Sequence, residues 1–535
     1  MNKDDVLKEY FPRIKAFHDN QEEAIDALIN GENVLCLMPT GGGKSLIYQI
    51  AGLCSGKTTL VISPLIALMN QQHKQMLNAG LSSLNFSGMD GKKQFSTITK
   101  MVTGKLPDFI YMSPERVSYD GYLEYVLKLR NECIGLIVID EAHCVSQWGE
   151  GFRPAYRIIP EFINRVFDVG NLPCILCLTA TLNEYDQKQI EKDFIITKTI
   201  KSKQLWRDNL NLEILSLKGI KDEKKDDELE RLLLKHKGEK ILVFVHRKYG
   251  NKATTKKLYE QYKNRFEGVE YFDSGLSDEE KERVLESFLY GSTKIVFATS
   301  AFGMGVDIND IRVVINYLIS ESVEQYYQEV GRAGRDGKPA YCYLLYTDQS
   351  RRSRMILLNS SLCSENDLQN EFSERSLNDG EVFRSTSFMN MTEEQKTAFS
   401  ILLDYNVFKV LAKGVISISC FLPKTEEGKL FIEECKMHFR GGLVKIIVAK
   451  SGQNINSFTN RIWEMCAYGH LVMKSALEKC MYYSSDKQLD ETLVNTILID
   501  QNLKRDERVS KFDKFTSCIE NGLTAEEIIR STLCI

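Results

Sequence analysis

Short, β-branched apolar runs alternate with amphipathic stretches twice along the first two-thirds of the chain. The first set predicts strands at Asn33–Met38, Thr58–Ser63, Phe109–Met112, Leu136–Ile139 and Ile175–Thr179. The second predicts strands at Lys240–Val245, Val269–Phe272, Lys294–Ala298, Arg312–Asn316 and Ala340–Tyr346. Between them lie stretches such as Ser277–Tyr290, with apolar residues at helical offsets. Wholly apolar strands separated by helices predict parallel sheets covered on both faces. Two such units in succession predict two α/β lobes, with a boundary near Lys203–Asn211. Beyond about Asp348 the alternation stops. The remainder reads as mainly helical, with a polar, poorly patterned stretch from Asn359 to Asn390.

Composition narrows the class. A chain of 535 residues holds three or four domains, and 43% hydrophobic with 27% charged residues is the profile of a globular protein. The opening MNKDDVLKEY lacks the apolar segment of a signal peptide. No apolar run approaches the ~18 residues needed to cross a bilayer, so no membrane partner and a cytoplasmic location are expected. The net charge of −4 provides no global basic field, so a nucleic-acid partner would be held by local patches and backbone amides. The 14 cysteines are scattered and expected to be reduced. Cys174 and Cys177 have CxxC spacing inside the apolar run CILCLT. On a strand that spacing points them to opposite faces, so they read as small core residues.

Two motifs carry chemistry. Met38-Pro39-Thr40-Gly41-Gly42-Gly43-Lys44-Ser45 closes the first predicted strand and opens a helix. Glycines there free backbone N–H groups to face phosphate oxygens at a helix N-terminus, where the dipole favours an anion. Lys44 would neutralise the β- and γ-phosphates of ATP, and the Ser45 hydroxyl would ligate Mg2+. Met38 stands where the strict pattern has glycine. The second motif, Asp140-Glu141-Ala142-His143, follows the apolar strand GLIVI. At a strand's carboxyl end Asp140 is assigned to Mg2+, and Glu141 to orienting or deprotonating the attacking water.

With these motifs in order, the chain resembles a superfamily 2 helicase and, in detail, the RecQ family. The resemblance rests on MPTGGGKSLIYQI, SPLIALMNQQ (Ser63–Gln72), SPER (Ser113–Arg116), DEAHCVSQWGEGFRP (Asp140–Pro154), LTAT (Leu178–Thr181), ATSAFGMGVD (Ala298–Asp307) and QYYQEVGRAGRDG (Gln325–Gly337). It implies two tandem RecA-like domains, at 1–205 and 206–350, followed by a mainly helical accessory region at 351–535. The helical stretch Met391–Tyr405 and the segment Ser457–Leu471 in that region could belong to a winged helix, ordinary or divergent, or to a divergent bundle. Phe17 and Gln21 match the family's adenine-reading motif, with His18 where an arginine is usual. The aromatic-rich loop after the acidic motif implies nucleic-acid contacts at Gln147, Trp148, Phe152, Arg153 and Tyr156, with Ser63 added from the SPLIALMNQQ motif. Rings beside an arginine offer stacking faces and a phosphate-binding cation. Arg335 is implied as an arginine finger and Arg332 as a supporting phosphate contact. Gln328 and Asp307 are placed in the nucleotide cleft.

The resemblance stops short of the C-terminal region. RecQ proteins usually continue into a zinc subdomain with four clustered cysteines, but here only Cys363 precedes Cys420 after Arg351-Arg352. Tetrahedral zinc needs four ligands, usually paired at short spacing, so no structural zinc is expected. The resemblance implies an ATP- and Mg2+-dependent motor moving 3′→5′ on single-stranded DNA and unwinding 3′-tailed duplex, in repair or recombination. Two other readings fit the residues: a translocase subunit of a genome-defence or remodelling assembly, and an ATP-gated nucleic-acid clamp. An RNA substrate is a further possibility.

Overall fold

A computed structural model describes the chain except residues 39–41, 65, 146–153, 169, 181, 183, 203–205, 218, 220–221, 247–252, 300–301, 303–307, 361, 379–380, 388–390, 436–437, 441–442, 449–453, 486 and 534–535. Every residue of Val34–Leu37, Thr58–Ile62 and Phe109–Met112 is buried, because both faces of their sheet are covered by helices. That sheet has seven strands in the order Ser83–Asn85, Phe109–Met112, Thr58–Ile62, Ile134–Ile139, Cys174–Thr179, Val34–Leu37, Lys198–Lys201, all parallel. Cys177 packs into the cluster on one face and Cys174 against the cluster on the other, as their spacing requires.

The chain leaves this sheet at Lys201 and enters a second at Leu210. The second sheet has six parallel strands in the order Val269–Phe272, Ile295–Ala298, Lys240–Phe244, Ile311–Asn316, Ala340–Tyr346, Leu210–Ser216. All ten strands expected from the hydrophobic pattern are present. Three edge strands were not expected: Ser83–Asn85, Lys198–Lys201 and Leu210–Ser216. They are only partly buried, so their sequences carry polar residues that dilute the apolar signal.

Beyond Tyr346 helices predominate as expected, with one addition. A five-stranded antiparallel sheet, in the order Arg384–Thr386, Met473–Ser485, Phe408–Phe421, Leu443–Ile447, His438–Arg440, forms the centre of the region. The helices Glu393–Asp404 and Ile455–Ala467 form where the sequence offered them to a winged helix. They lie on opposite faces of this sheet: Met481 and Tyr483 pack with Phe399, whereas Cys480 and Tyr482 pack with Ile462. The sheet organises them.

One face of this sheet docks on the first lobe. Lys413, in the middle of a strand, is buried and donates to Glu124 Oε2 at 2.6 Å and to the Val117 carbonyl at 2.9 Å. Gly121 admits the close approach, since a Cβ there would stand 1.9 Å from the Lys413 carbonyl oxygen. Lys479 donates to Asp120 at 2.7 Å, and Trp463 lies 5.4 Å from Tyr122, ring to ring. Lys413→Ala is expected to lower stability by about 3 kcal/mol, the lower end for breaking a buried pair. Arg165, 2.8 Å from Glu124, still compensates that carboxylate in the variant. Urea unfolding measures the loss, and a change below the error of the extrapolation would refute it. Among the described residues no helix is long and apolar enough to cross a membrane.

Candidate active site

The site forms where strands of the first sheet end at their carboxyl edge, the position at which open α/β sheets bind ligands. Val34–Leu37 delivers the phosphate loop and Ile134–Ile139 delivers the acidic pair. Thr40 and Gly41 lie outside the described residues. Gly43 caps the helix Lys44–Ser55 at φ +72°, a conformation glycine adopts without penalty. Gln21 closes against it from behind, accepting from the His18 N–H at 3.0 Å and donating to the Gly42 and Gly43 carbonyls at 3.2 and 3.1 Å. In this state the Gln21 amide braces the loop. Its neighbour Phe17 is half-buried against the core behind that loop.

Lys44 Nζ is buried and has no hydrogen-bond partner among the described residues. Asp140 is fixed at three points. Its Oδ2 accepts from the Ser63 hydroxyl at 3.0 Å, its Oδ1 from the Glu141 N–H at 3.1 Å, and its carbonyl from the Tyr156 hydroxyl at 2.7 Å. Burial and the adjacent Glu141 push the Asp140 carboxyl up to about 6, against the pull of Lys44 and Ser63. Glu141 sits at φ +50°, a strained position for a non-glycine residue. Burial disfavours its charge, but Lys44, His143, Arg332 and Arg335 together hold its carboxyl below the usual range.

The last two of those groups come from the second lobe. Arg332 and Arg335 follow the helix Val323–Val330, on which Gln328 is half-buried. Arg332 is 8% exposed, with its guanidinium 6.0 Å over the Phe244 ring. Burial and the charge of Arg335 push it down to about 10, with Glu329 and Glu141 acting in the opposite direction. Lys44, Arg332 and Arg335 thus face Glu141 from both lobes. Buried cations crowded around one cleft attract an anion with several charges, and the triphosphate of ATP fits that demand.

Two assignments change. Tyr156 is fully buried with its hydroxyl on Asp140, so it offers no face for a base to stack on. Ser63 is 1% exposed and spends its hydroxyl on the Asp140 carboxylate, so it supports that acid instead of touching a strand. Gln147, Trp148, Phe152, Arg153 and Asp307 lie outside the described residues.

Other groups emerge only in three dimensions. His143 Nδ1 lies 3.1 Å from Thr179 Oγ1 and 3.3 Å from Glu141 Oε2, joining the acidic motif to the LTAT segment. Arg207 donates to the Gly331 carbonyl at 3.0 Å and to that of Gly334. Asn209 donates to the Gly334 and Lys338 carbonyls at 2.7 and 2.8 Å. These two residues shape the loop that presents Arg332 and Arg335. Their signal in sequence was only a polar pair at a lobe boundary.

Comparison with known proteins agrees with this geometry. Residues 18–190 match the DEAD/DEAH box helicase family and residues 224–337 the helicase conserved C-terminal domain. The chain is 33% identical over 358 residues to the ATP-dependent DNA helicase RecQ of Bacillus subtilis, covering 66% of this chain and 58% of that one. It is 36% identical over 353 residues to the ATP-dependent DNA helicase hus2/rqh1 of Schizosaccharomyces pombe, covering 64% and 26%. The chain therefore spans less than two-thirds of either relative's length. In fold it is similar to S. cerevisiae Dbp5 bound to RNA and ADP BeF3, with a TM-score of 0.52 at 18% identity over 66% of this chain and 90% of that one. With both helicase domains in succession and the RecQ-type motifs running through them, the chain belongs to the RecQ-like helicases of superfamily 2.

Proposed function

We propose that the chain is an ATP-dependent DNA helicase of RecQ type, translocating 3′→5′ on single-stranded DNA and unwinding 3′-tailed duplex. The observation that carries this reading is the convergence of Lys44 from one lobe and Arg332 and Arg335 from the other on Glu141. A nucleotide held from both sides closes the cleft, and its hydrolysis removes the bridge, so the lobes' grips on a strand alternate. Lys44 neutralises the β- and γ-phosphates, and Arg335 meets the charge that grows on the γ-phosphoryl group as its bond to the leaving oxygen breaks. Glu141 orients the attacking water and takes its proton. Ser45 and Asp140, a hydroxyl and a carboxylate, suit Mg2+, which when bound offsets phosphate charge.

Several parts of this proposal rest on support of other kinds. The cleft assignments of Phe17, Gln21, Thr40, Gly41, Gln328 and Asp307, and the DNA contacts of Gln147, Trp148, Phe152 and Arg153, rest on the family motifs. A protein without structural zinc is supported by the dispersal of its cysteines: Cys363, Cys420, Cys466 and Cys480 are each buried in hydrophobic clusters. Cysteines that form no disulfide among the described residues also suit a reducing, cytoplasmic setting. The division at 205 and 350 is supported by the passage from one sheet to the next between Lys201 and Leu210. The third part, 351–535, is divided in its allegiance, because its last helices pack on the second lobe.

ATP hydrolysis measured with no polymer, single-stranded DNA, duplex DNA and RNA, together with strand displacement on 3′- and 5′-tailed duplexes, tests the proposal. Single-stranded DNA is expected to stimulate hydrolysis most, and only the 3′-tailed duplex is expected to open. DNA-stimulated turnover without displacement would replace unwinding by translocation alone. Equal stimulation by RNA would overturn the choice of DNA.

A further inference from the structure

The helix Glu491–Glu520 is 30 residues long, about 45 Å at ~1.5 Å per residue. Its two halves are buried in different places. Val494 and Ile497 lie in a cluster with Phe399, Phe408 and Tyr483 of the accessory region and Ile158 of the first lobe. Phe512, Phe515 and Ile519, with Ile528 and Ile529 of the following helix, lie in the core of the second lobe. There they cover the helix Val323–Val330, whose next residues include Arg332 and Arg335. The Phe515 ring is 5.8 Å from that of Tyr326, and Arg508 donates to Glu321 at 2.9 Å, just ahead of the helix.

The other end is anchored beside the acidic motif. The accessory sheet is pinned to the first lobe by the buried Lys413–Glu124 pair and by Lys479–Asp120. Arg157, directly after the Tyr156 that holds the Asp140 carbonyl, pairs with Asp404. A single helix therefore runs from the side of the cleft that holds Lys44 and Asp140 to the side that holds the arginines. Packed at both ends, it sets the register in which the two sets of charges meet when the cleft is closed, and a displacement near 1 Å there is enough to cost about a hundred-fold in rate.

We infer that Arg508 and Phe515 are positioning residues for ATP hydrolysis: they hold the arginine-bearing helix in register against the first lobe, through the long helix that spans both. This rests on the ATPase reading above. Neither residue touches the nucleotide. Both act through Val323–Val330 and the loop that follows.

The test uses the full-length chain with saturating single-stranded DNA. Arg508→Glu and Glu321→Arg are each expected to lower kcat about ten-fold or more, with KM for ATP changed less, because the phosphate loop lies in the other lobe. The double exchange restores the pair with reversed polarity and is expected to recover most of the rate. Arg508→Glu placed on Arg335→Ala is expected to add little, because both act through one group. Phe515→Leu, a milder change than truncation to alanine, is expected to lower kcat in the same sense. Single reversals within two-fold of the parent, no recovery in the exchange, or full additivity with Arg335→Ala would each overturn the inference. Hydrogen exchange of residues 323–335 separates it from the ATPase reading. If the parent hydrolyses no ATP, that reading falls, while faster exchange there in Arg508→Glu still upholds the contact and unchanged exchange refutes it.

Discussion

Lys44→Ala is expected to remove ATP hydrolysis, by at least about a thousand-fold, the scale for losing a cation from a phosphoryl-transfer transition state. The same change is expected to leave the protein folded, with a loss of stability small beside the loss of rate. The reason lies in the geometry of the side chain. Its ammonium is buried without a hydrogen-bond partner among the described residues, so truncation breaks no hydrogen bond there, although Asp140 and Glu141 lose one compensating charge. Phosphate release and a thermal melt on the same sample check both halves. Wild-type turnover in the variant would remove the phosphate loop from the mechanism. A collapse in Tm would show that Lys44 is a structural cation.

Arg335→Ala is expected to lower kcat by about a thousand-fold or more while nucleotide binding changes far less, as befits an arginine finger. Its neighbours make the outcome specific. Arg335 sits close enough to Arg332 and Arg207 that its charge contributes to lowering the pKa of both, after burial itself. Removing one of three crowded guanidinium groups eases repulsion among them while taking one favourable charge from Glu141, so the loss of rate is expected to exceed any change in stability. Arg335→Lys is expected to recover little, since an ammonium cannot reproduce the planar two-pronged donor. Single-turnover hydrolysis with a fluorescent-nucleotide titration reads the two effects separately. Equal losses of affinity and rate would make Arg335 a binding residue only.

The parts of this molecule that were legible in the sequence are those with strong local signatures. Strands buried on both faces spell themselves out as unbroken apolar runs, so the two parallel sheets could be read directly. The charged motifs at their carboxyl ends then fall where the topology puts them, and Lys44, Asp140, Glu141, Arg332 and Arg335 converge. The antiparallel sheet escaped because its long strands break their own alternation. Phe408–Phe421 carries a buried lysine, and register shifts occur between Val410 and Ala412 and between Ser419 and Cys420. Lys413 is compatible with burial only because Glu124, 289 positions earlier, waits for it, and no window along the chain contains both. Tyr156 and Ser63 failed for a related reason. Sequence places them beside functional loops, but only the packed structure shows that their hydroxyls are already spent on Asp140.

The C-terminal helices also bear on how the protein is made. Residues from Phe512 to Ile529 help complete the second lobe's core, yet the last strand of that lobe's sheet ends at Tyr346. At ribosomal speed the intervening residues take on the order of ten to forty seconds to appear. Throughout that interval the nascent second lobe lacks those core residues, and the apolar surface they later cover needs shielding from aggregation. Contacts so distant along the chain also slow the final docking. The sheet of the second lobe is thus complete in the chain well before the helices that finish its core, and their docking is a late step in its folding.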